Sequence, residues 1–268
     1  MKKETARKIL SETENGYDLI SQKFSQTRKH FWRGLEFIAD YAKDGDRVLD
    51  YGCGNGRLLE LFGAKAIEYY GADVSQGLLD LAKEKYPEKA AAFIKLDPNQ
   101  NSLPFETDFF NTAYSIAVFH HFPGSDYRES LAKELYRVVT PEGYVVVTVW
   151  NLWQQKYYQN ILKNWLNKIF GAVIRMSGFR GTGSRFDSRT KDFDWNDCEI
   201  SFTDNGVYPV KSAQGGAEQF NRVNKIERFH HAFTKRELRK LFEKAGFQTQ
   251  KCAIIKGRNI IYIGKKKI

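Results

Sequence analysis

The sequence predicts an α/β fold built on a mostly parallel, seven-stranded sheet with helices on both faces. From about residue 47, short apolar runs that end in turn residues alternate with segments of helical periodicity, as expected of βαβ units. A glycine-rich turn closes the first run, and carboxylates close the next two. With 268 residues and a hydrophobic content of 42%, the chain can bury a core, which excludes disordered and collagen-like classes.

Five strands are predicted between residues 47 and 150, separated by apolar residues at helical spacing. After the fourth strand, for example, Leu131, Leu135 and Val138 share one helix face. The segment Thr140-Pro141-Glu142-Gly143 ends that helix. The predicted strands are Arg47–Tyr51, Ile67–Asp73, Ala92–Asp97, Thr112–Val118 and Tyr144–Trp150.

The regular alternation fails after the fifth strand and returns near residue 234. Within this interval residues 153–174 are predicted to be helical, and their aromatic stripe favours a packing face over a base-stacking platform. Thr234-Lys235-Arg236-Glu237 is a capping box, and Gly246 ends the helix that it starts. Two further strands, 249–255 and 259–264, complete the predicted sheet.

The glycine turn and the acids after it predict a nucleoside ligand. A turn of Gly52, Gly54 and Gly56 lets backbone approach a ligand at the carboxyl edge of the sheet. Arg57 occupies the place where a dinucleotide fingerprint needs glycine, so NAD is disfavoured. Carboxylates at the next two strand ends suit a ribose and an adenine amino group. A ribose and an adenine without a phosphate clamp describe S-adenosylmethionine.

In order along the chain, these motifs resemble those of class I S-adenosylmethionine-dependent methyltransferases, whose fold is Rossmann-like. They run from the Val48-to-Gly56 segment through Gly71-Ala72-Asp73-Val74-Ser75 to Pro141-Glu142-Gly143. One departure is Phe110-Asn111, where this superfamily commonly has Phe-Asp. The cofactor-binding residues that the resemblance and the pattern imply are Asp50, Gly52, Cys53, Gly54, Asn55, Gly56, Asp73, Val74, Asp97, Pro98, Ser115, Ile116 and Ala117.

Three further segments resemble the tRNA wobble-uridine methyltransferases that esterify 5-carboxymethyluridine. They are Tyr17-Asp18-Leu19-Ile20 with the Phe24-to-Arg28 run, Ser115 to His121, and Arg228 to Leu238. The resemblance implies a helical lid at 1–42, a cofactor-binding core at 43–150 and a substrate-recognition insertion at 151–231. Residues 232–268 would complete the core sheet. It also implies tRNA as partner and raises the question of a small activator subunit, as in eukaryotic relatives.

Carboxyl O-methylation needs no strong base, because a carboxylate is already ionised at pH 7. The expected catalytic residues are Arg28, His120 and His121, and the expected substrate-binding residues are Arg28, His120, Arg228, His230 and His231. A phenol or amine acceptor would instead need a histidine base. A small-molecule methyltransferase and a non-catalytic S-adenosylmethionine- or RNA-binding module remain open alternatives.

The charge is unevenly distributed along the chain. Residues 43–150 hold 11 basic and 16 acidic side chains, whereas 151–268 hold 23 basic and 10 acidic ones. The basic insertion favours an RNA acceptor, with Lys156, Lys163, Lys168, Arg175, Arg180 and Arg185 as phosphate contacts. The apolar runs are too short for a membrane span, and the three cysteines form neither a disulfide pattern nor a metal-binding one. The sequence therefore predicts a cytoplasmic protein without a membrane span, a disulfide or a metal site.

Overall fold

A computed structural model of the chain describes residues 1–28, 30–63, 65–176, 192–204, 207–211, 217–221 and 224–268. Arg180 and Arg185, and the predicted loop at 178–184, lie outside the described residues. In chain order the strands are β1 (Arg47–Tyr51), β2 (Glu68–Asp73), β3 (Phe93–Lys95), β4 (Phe110–Ile116), β5 (Val139–Trp150), β6 (Asp197–Asp204), β7 (Val207–Lys211), β8 (Ala217–Asn221), β9 (Asn224–His231), β10 (Gln248–Ile255) and β11 (Asn259–Lys265).

Seven of these strands form one sheet in the order β10-β11-β5-β4-β1-β2-β3. The five strands from β1 to β5 pair in parallel, and β11 runs antiparallel to both β5 and β10. The order reverses between β1 and β4, so their carboxyl ends open a crevice in which ligands of such sheets bind. The predicted seven-stranded, mostly parallel sheet is therefore confirmed.

Helices cover both faces of the sheet. They are α1 (Lys3–Thr27), α2 (Gln76–Lys85), α3 (Ser125–Val138), α4 (Tyr158–Met176) and α5 (Lys235–Ala245). Val145, Val147 and Val149 of β5 pack into the core that holds α3 and α5, whereas Val146 faces the core that holds α2. The two-residue period of a strand thus divides one valine run between two layers.

The structure differs from the sequence prediction in several elements, and β5 begins at Val139, five residues before the predicted Tyr144, because Val139 pairs with Phe110 of β4. The helix after the glycine turn is a 3-10 segment, Arg57–Leu61. Strand β4 ends at Ile116 because Ala117 takes a φ of 61°. Helix α4 starts at Tyr158, because the Asn151 side chain accepts the Trp153 N–H and holds the preceding residues in turns.

The interval between β5 and α5 also contains strands that the sequence analysis did not predict. Strands β6 and β9 pair antiparallel, from Asp197 opposite His231 to Asp204 opposite Asn224, and β7 pairs with β8.

The unusual Asn111 has a structural role, since its Oδ1 accepts the Arg47 N–H at 2.9 Å. None of the described helices has the length and apolar character that a bilayer span requires.

Candidate active site

A cavity of about 990 Å³, counting its open mouth, lies at the carboxyl ends of β1, β2 and β4. Its wall comes from the glycine turn, from α1 and the residues after it, and from the start of the segment that follows β4. Trp150 at the end of β5 and Arg228 in β9 close the remaining side. Parts of the chain that are far apart in sequence therefore share one site.

The glycine turn at the cavity needs its glycines for two different reasons. Gly52 has a φ of 80°, and a Cβ there would lie 2.3 Å from Val118, so a side chain is excluded by packing. Gly54 has a φ of 55°, and a Cβ there would lie 3.7 Å from Phe24 and 3.9 Å from Leu78. The space above Gly54 therefore belongs to the cavity, which suits a ligand lying against the backbone.

Asp73 presents a fixed carboxylate beside this turn. Its Oδ2 accepts the Gly54 N–H at 2.7 Å and its Oδ1 accepts the Ser75 N–H at 2.8 Å. Burial raises the pKa of Asp73, although the hydrogen bonds from Ser75 and Gly54 act against the rise. A carboxylate oriented in this way keeps lone pairs for the two hydroxyls of a ribose. Asp97 and Pro98 line a smaller adjoining cavity.

Asp50 and Arg57 form the polar floor of the cavity. Burial raises the pKa of Asp50 to about 7, and the Tyr69 hydroxyl donates to its Oδ2 at 2.8 Å. The Arg57 guanidinium lies 3.6 Å from the centre of the Trp32 ring, and burial lowers its pKa to about 10. In the sequence analysis Arg57 only excluded a dinucleotide, whereas the structure makes it part of the cavity wall.

Hydrogen bonds of its polar side chains hold helix α1 across the cavity. The Asn55 amide donates to Ser25 Oγ at 3.0 Å. Asp18 Oδ1 accepts the Ser75 hydroxyl at 2.6 Å and the Gly77 N–H at 3.0 Å. The helix therefore contacts both the glycine turn and the first turn of α2.

Arg28 and Arg228, like Arg57, line the cavity and have no carboxylate partner among the described residues. Arg228 is 5% exposed; its Nη1 donates to the Tyr17 hydroxyl at 3.2 Å, and its Nε has no partner. Arg28 donates to the Thr27 hydroxyl, stacks on Phe24 at 4.3 Å, and has a pKa lowered by burial. Buried cations normally have anionic partners, so this pair suits an anionic ligand.

His121 faces the same part of the cavity in its neutral form. Its Nδ1 lies 3.0 Å from the Phe229 carbonyl, which can only accept, so Nδ1 carries the proton. Its Nε2 then accepts the Tyr17 hydroxyl at 2.8 Å. Burial, followed by the charge of Arg228, lowers the pKa of His121 to about 3. Such a weak base is poorly matched to general-base catalysis near neutral pH.

Three of the other four histidines, His120, His230 and His231, lie behind the wall. Burial lowers the pKa of His120 and of His230 well below the ordinary value, and neither Nε2 has a partner. The ring nitrogens of His120, His121 and His230 come within 4.8 Å of one another. However, the Trp150 N–H donates to His120 Nδ1, which places the proton on Nε2 and disfavours a metal ion there.

His231 lies between two carboxylates instead of at the cavity. Asp197 contacts its Nδ1 and Glu237 its Nε2, both at 2.6 Å. Burial and Arg128 lower its pKa, but the two carboxylates outweigh them and the net shift is upward. The structure therefore gives His231 a role in joining β9 to β6 and α5.

The structure brings together twelve of the residues singled out in the sequence. Those on the cavity wall are Arg28, Asp50, Gly52, Cys53, Gly54, Asn55, Asp73, Val74, Ile116, Ala117, His121 and Arg228. Those not on it, besides Asp97 and Pro98, are Gly56, Ser115, His120, His230 and His231. The ligand-binding and catalytic roles of all these residues stay predictions.

Several residues of the cavity wall were not among the predicted site residues, although the resemblance implies a lid that contains them. Thr13, Tyr17 and Phe24 of α1 line the cavity together with Arg28, and Trp32 follows them. The first four lie 4, 7 and 4 residues apart, which places them on one helix face. That spacing was a usable signal, but only the structure shows that this face of α1 lines the cavity.

The methyltransferase domain family matches residues 24–251 of the chain. A tRNA (carboxymethyluridine(34)-5-O)-methyltransferase from Arabidopsis thaliana is 34% identical over 149 residues, which are 56% of this chain and 34% of that protein. The Xenopus tropicalis protein of the same name, alkbh8, is 36% identical over 145 residues, 54% of this chain and 22% of that protein. The chain thus spans about a third or less of the length of these two relatives.

Solved structures share the fold at low sequence identity. A methyltransferase from Methanosarcina mazei superposes with a TM-score of 0.58 at 18% identity, covering 89% of this chain and 99% of that one. A putative methyltransferase from Haloferax volcanii, in complex with the Trm112 methyltransferase activator, gives a TM-score of 0.57 at 13% identity, with coverages of 96% and 98%. With the family match, the fold and the cavity taken together, the chain belongs to the methyltransferase domain family and is an S-adenosylmethionine-dependent methyltransferase of class I fold.

Proposed function

We propose that the protein transfers a methyl group to the carboxylate of a modified wobble uridine in tRNA. The observation that carries the proposal is the pair Arg28 and Arg228, which line the cavity together with Arg57 and have no carboxylate partner among the described residues. An acceptor carboxylate would supply the missing anion, and guanidinium groups bind carboxylates with directional, charge-assisted hydrogen bonds. The names of the Arabidopsis and Xenopus relatives agree with this acceptor.

The residues of the cavity fit S-adenosylmethionine. Asp73 would hold the ribose hydroxyls, the turn at Gly52 and Gly54 would accommodate the close approach of the ligand, and Asp97 in the adjoining cavity would accept from the adenine. When bound, the cofactor supplies an electrophilic methyl group on a sulfonium. We also propose that α1 acts as the lid of this site, since Asn55 and Asp18 fasten it in place.

The histidine chemistry also favours a carboxylate over a phenol or an amine. A carboxylate attacks in its ionised form and needs only orientation and exclusion of water. A phenol or amine would need a base, and the lowered pKa of His121 makes it a weak one. Arg28 and Arg228 would therefore orient the acceptor, while the neutral His121 positions Tyr17.

A labelled-transfer assay tests the proposal. The protein is incubated with methyl-labelled S-adenosylmethionine and either tRNA that lacks the wobble ester or an RNA-free extract of small metabolites. Parallel reactions contain a small activator protein, because one structural neighbour is a complex with such an activator. We expect label in tRNA that mild alkali releases as methanol, since esters hydrolyse under these conditions.

Asp73→Ala is the matched control, because it removes the proposed ribose contact and leaves the arginines in place. Label that resists alkali would refute the ester. Label in the metabolite fraction alone would instead identify a small-molecule methyltransferase.

A further inference from the structure

Helix α4 exposes an apolar stripe to solvent. Tyr158, Leu162, Leu166 and Ile169 are 40%, 39%, 51% and 49% exposed, and their spacing of 4, 4 and 3 residues places them on one face. Trp195, in the turn before β6, is 56% exposed and lies against the same helix, since its ring centre is 6.4 Å from that of Trp165. These five residues are called the α4 surface below. The helix buries a different face through Ile161, which is 1% exposed.

Trp195 is held outward by the helix beneath it. The Asn164 amide donates to the Asp194 and Trp195 carbonyls at 3.0 and 3.3 Å, and the Trp165 indole N–H donates to the Trp195 carbonyl at 2.6 Å. The Trp165 ring meets the Trp195 ring edge-on at 6.4 Å. The exposed indole therefore has a fixed backbone and a supported ring, which lowers the entropy lost when a ligand stacks on it.

The surroundings of the α4 surface carry positive charge. Residues 151–169 contain three basic side chains, those of Lys156, Lys163 and Lys168, and no acidic ones. The Lys168 ammonium lies 5.8 Å from the centre of the Trp195 ring, and Lys163 is exposed next to Leu162. The carboxylate of Asp194 lies 3.7 Å from Arg128 and so has a cationic partner of its own.

We propose that the α4 surface binds unpaired nucleotides of the RNA substrate by stacking. This inference rests on the proposed function. Tyr158 and Trp195 offer exposed rings on which bases can stack, and the nearby lysines can contact phosphates, because every base has a π-face and every linkage a negative charge. Paired RNA offers its phosphates but keeps its bases stacked inside the helix, so it can use the lysines without using the ring.

The α4 surface is connected to the active site through an aromatic contact. Trp150 lines the cavity, and Tyr157, the residue before α4, stacks on it with ring centres 6.1 Å apart. The stripe from Tyr158 to Ile169 extends about 16 Å along the helix from that point. We expect a loop with one base in the cavity to place its neighbouring bases along α4.

Binding measurements on Trp195 variants test the inference. The probes are an unmodified anticodon stem-loop and a fully paired duplex of the same length, titrated at several salt concentrations. We expect Trp195→Ala to weaken stem-loop binding about tenfold and to leave duplex binding and the salt slope unchanged. Trp195→Phe keeps a π-face and should recover most of the affinity, which separates stacking from misfolding.

Two controls complete the experiment. Ile254→Ala removes an apolar side chain of similar exposure on β10 and should change neither probe. The double variant Lys163→Gln, Lys168→Gln should reduce the salt slope for both probes.

Equal losses for stem-loop and duplex, or no loss at all, would overturn the stacking role. Vesicles rich in phosphatidylserine serve as a third probe. If Trp195→Ala weakened binding to these vesicles alone, the α4 surface would be a membrane contact and the stacking role would be overturned. Because binding is measured without methyl transfer, failure of the ester assay leaves this result standing. Conversely, ester formation with unchanged Trp195→Ala binding would refute the α4 surface alone.

Discussion

Arg228 brings together burial, positive charge and an unsatisfied donor at the cavity. Its Nη1 contacts Tyr17, which in turn contacts His121, so its position is fixed by two side chains that also line the cavity. A buried donor without a partner is costly, and a ligand that supplies the acceptor recovers that cost on binding. This is the physical basis for assigning the acceptor carboxylate to Arg228.

We therefore expect Arg228→Gln to raise the KM for the acceptor tRNA at least about tenfold, since a charge-assisted hydrogen bond is lost. The KM for S-adenosylmethionine should change little, because Asp73 and the glycine turn are untouched. Steady-state kinetics with each substrate varied in turn measure both. Arg33→Gln removes an exposed arginine and serves as control. An effect on the cofactor KM alone would reassign Arg228 to the cofactor.

Individual residues were predictable where their chemistry is local. The positive φ of Gly52 and the position of Asp73 after β2 follow from neighbouring sequence. The environments of the histidines do not. His231 meets Asp197, 34 positions away, through pairing of β6 with β9, and no local pattern shows that contact. The sequence therefore identified His231 as a titratable residue, but it did not indicate that this side chain lies between two carboxylates and off the cavity wall.

At the scale of elements, α1 caps a helix to which it is not adjacent in sequence. Asp18 accepts from the Gly77 N–H in the first turn of α2 and from the Ser75 hydroxyl. A carboxylate there satisfies an orphan donor and complements the helix dipole. The same contact holds the cavity-facing side of α1 against the core.

We expect Asp18→Ala to lower the free energy of unfolding by about 1 kcal/mol, as loss of a helix cap does, and to weaken cofactor binding because α1 loosens. Urea denaturation and calorimetric titration measure the two effects. Asp80→Ala, which removes an exposed carboxylate on α2 itself, is the control. If stability fell and cofactor affinity did not, α1 would be a structural element and not the lid.

Element boundaries were predictable where capping residues mark them. The Thr234 hydroxyl accepts the Glu237 N–H at the start of α5, and Gly246 takes a φ of 117° at its end, as the capping pattern indicated. Strands β6 and β9 were missed although a signal existed. Cys198 and Ile200 are buried and alternate with Glu199 and Ser201, the period of a half-buried strand.

Across the whole molecule, the site depends on contacts between distant segments. The Tyr17 hydroxyl contacts His121 across 104 positions and Arg228 across 211. Composition and motifs indicated an acidic cofactor half and a basic carboxyl-terminal half. They did not indicate that one tyrosine of α1 would join the two. Such contacts depend on the final packing of α1, β4 and β9, so sequence patterns alone do not reveal them.

The buried histidines give the fold two opposite responses to pH. The pKa of His231 is raised above its unfolded value of 6.5, mainly because Asp197 and Glu237 outweigh burial, so its contribution is complete below pH 6.5 and is lost as pH rises through the folded pKa. The pKa values of His120, His121 and His230 are lowered by burial. Their neutral forms favour folding above pH 6.5, and that stability is lost as pH falls below it.

We therefore expect His231→Gln to cost more stability at pH 6 than at pH 9, because only the protonated histidine gains from both carboxylates. Urea denaturation of the wild type and the variant at pH 6, 7.5 and 9 measures the difference in unfolding free energy at each pH. His30→Gln, at an exposed histidine, should show no such trend. A cost for His231→Gln that is constant across this range would mean that His231 stays neutral and only fills space between β6 and α5.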